Sequence, residues 1–191
     1  MADQTERAVL AAEPALPVGE TRLSAGAVLR VLPPRALVRL QIPRRMIPQA
    51  GALRVGSTAL PTTPGRCVGV DPAVLWLAPD GWLLISDVQD GATLVSGVRR
   101  DCGDLGVAAV DVSDSLVVFE LAGLQVRDLL MRGTSLDPDD GSLALGRCSR
   151  QRFAQLPVIL RPYGAERVEL IVDRGPALWL RDWFIHMGSV L

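Results

Sequence analysis

The sequence predicts an α+β fold in which helices pack on an antiparallel or mixed sheet. Short segments with a period of two residues are bounded by Pro, Gly and Asp, which is typical of hairpin strands. Three other segments have the 3.6-residue period of an amphipathic helix. The chain has 191 residues, of which 49% are hydrophobic, and this is enough for the core of one domain.

The N-terminal part has little periodic pattern. Residues 1–30 are rich in Ala, Glu, Pro and Gly, so we expect an arm that is extended or lies on a partner. Residues 31–191 then form a single α+β domain. Its first strand is predicted over residues 36–42, where apolar side chains alternate with polar ones until Pro43 ends the strand.

Repeated Pro and Gly residues between Pro43 and Asp71 predict a long connection with one short strand at most. After it, residues 74–78 and 82–86 are apolar and flank Pro79-Asp80-Gly81, a sequence that favours a tight turn. This part of the chain therefore predicts a buried hairpin.

The C-terminal half predicts strands and helices in alternation. A helix is expected over residues 90–100, a second from Gly123 to Gly133, and a third after Gly175-Pro176, where proline suits the first turn. The third helix carries an apolar stripe of Leu180, Trp183, Phe184 and Met187. Strands are predicted over residues 107–112, 116–121, 151–161 and 167–172.

The composition removes many kinds of chemistry. All 20 basic residues are Arg, and Lys and Asn are absent, so Schiff-base lysines, phosphate-loop lysines and N-glycosylation are excluded. Any Ser-His or Cys-His catalytic site would need the single histidine, His186, as its general base. The sequence places no Ser or Cys nucleophile beside it. An exposed residue on the last helix is therefore the favoured interpretation of His186.

Metal and cofactor motifs are missing as well. Cys67, Cys102 and Cys148 are too far apart for a zinc finger, and residues 137–141 lack the acidic spacing of a calcium loop. No Gly-rich dinucleotide or phosphate motif is present. We expect no catalytic, cofactor-binding or metal-ligating residue in this chain.

Charge and cysteine content indicate the environment of the protein. The formal net charge of −1 does not favour nucleic acid. The apolar runs are shorter than a bilayer requires, and no secretion signal is recognisable at the N-terminus. Three widely spaced cysteines fit a reducing compartment, so we expect a cytoplasmic protein without membrane contact.

Two groups of side chains are candidates for an interface. Arg147, Arg150 and Arg152 could bind carboxylates of a partner or of a folate-like ligand, although the pattern favours solvated surface arginines. The last helix is rich in aromatic residues, and part of that content is expected at an interface rather than in the core. Its candidates are Trp179, Trp183 and Phe184.

An ordered series of short motifs resembles the gamma subunit of heterotetrameric sarcosine oxidase. The resemblance runs from about Val74 to the C-terminus. Its markers are Leu75-Trp76-Leu77-Ala78-Pro79-Asp80-Gly81-Trp82-Leu83-Leu84, Asp111-Val112-Ser113, Leu121-Ala122-Gly123, Asp128-Leu129-Leu130, Ser135-Leu136-Asp137, Gly146-Arg147-Cys148-Ser149-Arg150 and Leu178-Trp179-Leu180-Arg181-Asp182-Trp183. The chain departs from the family pattern at Ala78, Asp114, Thr134 and Gly175-Pro176, which leaves the amine substrate open.

The resemblance implies the folate-binding fold of the aminomethyltransferase (T-protein) group. It also implies a complex whose alpha and beta subunits carry NAD, FAD and covalently linked FMN, and whose delta subunit carries zinc. Such complexes demethylate sarcosine, pass the methyl carbon to tetrahydrofolate and electrons to oxygen, and release glycine and hydrogen peroxide. In this family the gamma subunit is a noncatalytic member. The alternative is a free-standing folate-binding or folate-dependent aminomethyltransferase-like protein.

Overall fold

The computed structural model describes residues 13–103, 105–135, 141, 143–164 and 166–190. In chain order, strands β1 to β13 are Gly19–Ser24, Ala27–Val31, Ala36–Gln41, Arg54–Val55, Thr58–Ala59, Cys67–Val68, Ala73–Ala78, Gly81–Ser86, Ala108–Asp111, Leu116–Ala122, Ser149–Phe153, Leu156–Gly164 and Arg167–Asp173. Helices α1 to α3 are Gly91–Cys102, Val126–Gly133 and Ala177–Gly188, and 3-10 helices cover Arg44–Ala52 and Ser113–Ser115.

The strands form two larger antiparallel sheets. The first has six strands in the order β1-β2-β10-β13-β12-β11, and the second has five in the order β6-β7-β8-β3-β9. A separate small hairpin joins β4 and β5. The predicted α+β class and antiparallel pairing are confirmed, but the structure divides the strands between two sheets where the sequence predicted one.

The sheets stack face to face between two layers of helices. Helices α2 and α3 cover the outer face of the six-stranded sheet around Phe119 and Phe184, and α1 covers the outer face of the five-stranded sheet around Trp82. Between the sheets, Leu75 and Leu83 pack with residues of the opposite sheet such as Ile171. Each sheet is therefore apolar on both faces, and successive side chains of a central strand enter different cores.

The prediction of an unburied arm over residues 1–30 is wrong over its second half. Residues 19–24 and 27–31 are strands β1 and β2, and β2 pairs with β10 of the six-stranded sheet. Leu23 and Leu29 are buried against the helices. The domain thus starts before residue 31, and the predicted arm over residues 1–12 lies outside the described residues.

The strand predicted over residues 151–161 is also wrong in part, because the structure contains two strands there. Strands β11 and β12 meet at a two-residue turn of Ala154 and Gln155, whose φ angles are 45° and 71°. Tight hairpin turns with positive φ usually contain Gly or Asn. Neither residue type stands at this turn, so the sequence pattern carried no turn signal.

Other elements follow their predictions closely. The hairpin β7–β8 is confirmed with its turn at Pro79 and Asp80. Helix α1 begins at Gly91, where the Asp90 carboxylate accepts a hydrogen bond from the Thr93 amide at 2.7 Å and caps the helix. The connection after β3 contains a 3-10 helix over Arg44–Ala52 that the sequence did not predict.

Gly133, the last residue of α2, offers a test of the packing beneath α3. A Cβ atom at this position would overlap the buried ring of Phe153, which meets Trp183 edge to face and stacks with Phe184, at centroid distances of 5.2 and 5.4 Å. Gly133→Ala should gain about 1 kcal/mol in helix propensity but lose about 1–3 kcal/mol through overpacking. We expect a net loss of free energy of unfolding, measured by urea denaturation.

The matched control is Gly175→Ala, because a Cβ atom on Gly175 meets no atom within 4 Å. This variant should stay within about 0.5 kcal/mol of the parent protein. A Gly133→Ala variant as stable as the parent would contradict the packing described for Phe153.

Candidate functional site

His186, the one imidazole of the chain, lies exposed on α3. Its backbone carbonyl accepts a hydrogen bond from the Ser189 hydroxyl at 2.7 Å. Its ring has no hydrogen-bond partner in the described part of the chain. A general base for a nucleophile needs a hydroxyl or thiol within hydrogen-bond reach, and the described residues place none beside this ring.

The cysteine thiols are poor nucleophiles. Cys148 is buried between the sheets, its thiol donates to the Trp76 carbonyl at 3.3 Å, and burial raises its pKa to about 12. Burial also raises the pKa of Cys67 and of Cys102. Because the thiolate is the reactive species, these thiols are protonated at neutral pH and serve as core side chains.

Among the residues that the structure describes, no group of three or more His, Cys, Asp and Glu side chains could hold a metal ion. The acidic motif at residues 137–141 lies almost wholly outside the described residues, which include only its Gly141. None of the described helices combines the length and the apolar character needed to cross a bilayer.

The three candidate arginines lie close together but in different surroundings. Arg147 is half-buried and its backbone bridges to Arg66, at a point where the two sheets meet. Arg150 and Arg152 are exposed on β11 and share the face of that strand that turns toward the five-stranded sheet. Among the described residues, neither of these two guanidinium groups has an ion pair or hydrogen bond.

The three candidate aromatic residues of α3 differ in burial. Phe184 is fully buried and Trp183 half-buried, and both pack against Phe153 in the core beneath the helix. The prediction that Phe184 is available to a partner is therefore wrong. Trp179 is 50% exposed and lies beside the exposed Leu178, so it is the candidate whose ring a partner could cover.

The sequence analysis missed two buried carboxylates. Glu120 on β10 and Glu169 on β13 stand directly opposite each other and are only 2% and 3% exposed. Arg30 and Arg167 donate to Glu120, the latter at 2.6 Å. A single acidic residue inside an otherwise apolar strand, as at Glu120 in β10, is the signal that could have revealed this arrangement.

A second pair of arginines surrounds the other carboxylate. Arg35 and Arg161 donate to Glu169 at 2.7 and 3.1 Å, and Arg35 also binds Asp87 at 2.9 Å. Burial of a carboxylate without such partners would be strongly unfavourable. These arginines are therefore engaged in stabilising the fold.

An open cavity of 290 Å³ is lined by residues of both sheets. We call it the inter-sheet cleft and define it by residues of both sheets. The residues that define the cleft are Arg39, Leu77, Leu83, Arg150, Ile159 and Ile171.

Two solved structures resemble this chain in fold. A chain of heterotetrameric sarcosine oxidase from Corynebacterium sp. U-96 has a TM-score of 0.73 and 21% sequence identity, with 87% of each chain covered. Glycine cleavage system aminomethyltransferase T from Bartonella henselae has a TM-score of 0.62 and 14% identity over 86% of this chain. This match covers 46% of the aminomethyltransferase, so the chain spans about half of its length.

No curated protein sequence matches the chain. The sequence pattern of the sarcosine oxidase, gamma subunit family matches residues 52–188, which is more than half of the chain. The structural likeness to sarcosine oxidase agrees with this match at the level of the fold. The chain belongs to the sarcosine oxidase gamma subunit family.

Proposed function

We propose that this chain is the noncatalytic gamma subunit of a cytoplasmic, heterotetrameric sarcosine-oxidase-type flavoenzyme complex. Membership of the gamma subunit family is the observation that carries the proposal. The complex oxidatively demethylates sarcosine or a related N-methyl amine, with tetrahydrofolate as methylene acceptor and oxygen as electron acceptor. Its products are glycine, hydrogen peroxide and 5,10-methylenetetrahydrofolate.

In this proposal the chemistry belongs to the partner subunits. The alpha and beta subunits hold FAD, FMN and NAD, tetrahydrofolate binds in the partners, and the delta subunit holds zinc. The chemistry of two kinds of side chain in this chain supports the proposal. Its imidazole is exposed and lacks a nucleophile in the described residues, and its thiols are kept protonated by burial. Such a chain is better suited to contribute binding surfaces to a complex than to contribute catalytic groups.

The alternative is a free-standing folate-binding or folate-dependent aminomethyltransferase-like protein. It is supported by the fold shared with the Bartonella henselae aminomethyltransferase. Calorimetry with tetrahydrofolate on the isolated chain separates the two candidates, because micromolar binding favours the alternative.

The first test of the proposal is assembly. When the chain is coexpressed with the alpha, beta and delta subunits, we expect it to copurify in a stoichiometric yellow complex with flavin absorbance. Mass measurement and the absorbance spectrum check this outcome. A stable monomer that does not bind the other subunits would contradict the proposed function.

His186→Ala tests whether the chain takes part in the reaction. We expect the turnover of the assembled complex to stay within roughly twofold of the parent, because the ring is exposed and unpartnered in the described residues. Steady-state oxygen consumption measures turnover, and removal of a general base typically costs about 10²–10⁴-fold. A tenfold loss in a complex of normal composition would overturn the noncatalytic assignment.

Two tryptophans on α3 separate folding from assembly. Trp183→Ala removes a ring that contacts Phe153 and Phe184, and we expect it to lower the free energy of unfolding by about 3 kcal/mol. Trp179→Ala removes a half-exposed ring and should change stability by no more than about 0.5 kcal/mol while weakening copurification. Urea denaturation and quantified copurification measure the two effects. Unchanged assembly of the Trp179 variant would remove this residue from the interface.

A further inference from the structure

We propose that the inter-sheet cleft is the docking site for a segment of a partner subunit in which a carboxylate lies next to a large apolar side chain. The inference rests on the proposed function, because it assigns one surface of the gamma subunit to assembly.

The floor of the cleft is apolar and comes from both sheets. Leu77 and Leu83 belong to the five-stranded sheet, and Ile159 and Ile171 to the six-stranded sheet. The cavity volume of 290 Å³ greatly exceeds the roughly 30 Å³ that one water molecule takes up in the liquid. An apolar side chain of a partner could therefore extend the core between the sheets outward.

The cleft continues along the surface. A second cavity of 180 Å³ shares Arg39, Leu77 and Arg150 with it and reaches over Gly81 and Trp82 at the end of the β7–β8 hairpin. On the other side of Arg39, Val110 of β9 stands opposite it in register and is exposed. The two cavities share residues and so form one continuous surface for an extended segment.

Two guanidinium groups lie at the rim on opposite walls. Arg39 projects from β3 and Arg150 from β11, both exposed and both lining the two cavities. Within the described ranges, neither group has an ion pair or a hydrogen bond. The arginines around Glu120 and Glu169 are fully engaged by contrast.

The charge of the cleft favours an anion. Its lining contains the carboxylate of Asp173, and the adjoining cavity contains that of Asp80, which accepts a hydrogen bond from the Gln41 amide at 3.4 Å. Within the cleft itself two guanidinium groups outnumber the one carboxylate, whereas Asp80 keeps its negative charge in the adjoining cavity. Arginine binds carboxylates through two parallel hydrogen bonds and is enriched among the residues that dominate interface energies. A partner side chain of Asp or Glu beside an apolar residue would satisfy both features of the cleft.

The test is the double variant Arg39→Ala/Arg150→Ala in the full chain, coexpressed with the alpha, beta and delta subunits. We expect at least a tenfold loss of copurified gamma subunit at equal expression, with the melting temperature of the isolated chain unchanged. Arg39→Lys/Arg150→Lys should recover part of the loss, because it restores charge without the planar fork. The control is Arg44→Ala/Arg99→Ala, which removes two exposed arginines outside the cleft that have no ion pair in the described chain.

Assembly of the double alanine variant at the level of the parent would overturn the docking site. A parent chain that fails to assemble would instead contradict the proposed function, so the two failures are distinguishable. A third outcome concerns small molecules. In this outcome 3-phenylpropanoate raises the melting temperature of the parent chain but not that of the alanine variant, and both chains assemble normally. The cleft would then be a small-molecule site, and the proposal would be wrong.

Discussion

Two buried carboxylates that face each other constrain the centre of the fold. Glu120 and Glu169 are direct cross-strand neighbours on β10 and β13, and like charges in such positions repel. The arrangement is stable because each carboxylate binds two arginines. Loss of one partner of a buried ion pair typically costs about 3–5 kcal/mol. The elements that supply these arginines therefore help to stabilise the six-stranded sheet.

This requirement explains why the N-terminal strands belong to the domain. Arg30 reaches Glu120 from β2, so removal of β1 and β2 would leave the carboxylate with Arg167 alone among its described partners. Arg35, which precedes β3, links Glu169 of one sheet to Asp87 at the end of the other. The charged cluster thus joins the two sheets.

The sequence predicted the local elements well and the long-range arrangement poorly. The β7–β8 hairpin and the cap of α1 depend on residues close in sequence, so their patterns are informative. The division into two sheets left no comparable signal, because the central strands are apolar on both faces and do not reveal which core each face meets. The burial of Phe184 likewise depends on Phe153, which lies in a distant strand. The family itself could be recognised from short motifs in a fixed order along the chain, and the fold class with it, although the division into two sheets could not.

The arginines include some that stabilise the fold and others that we propose bind a partner. Every basic residue is Arg, yet the arginines act in two ways. Those around Glu120 and Glu169 bind buried carboxylates, whereas Arg39 and Arg150 line the inter-sheet cleft and bind no described residue. Exposed arginines without a partner contribute little to folding. They are consequently free to provide binding energy when a partner excludes water from the cleft, as the proposed docking site requires.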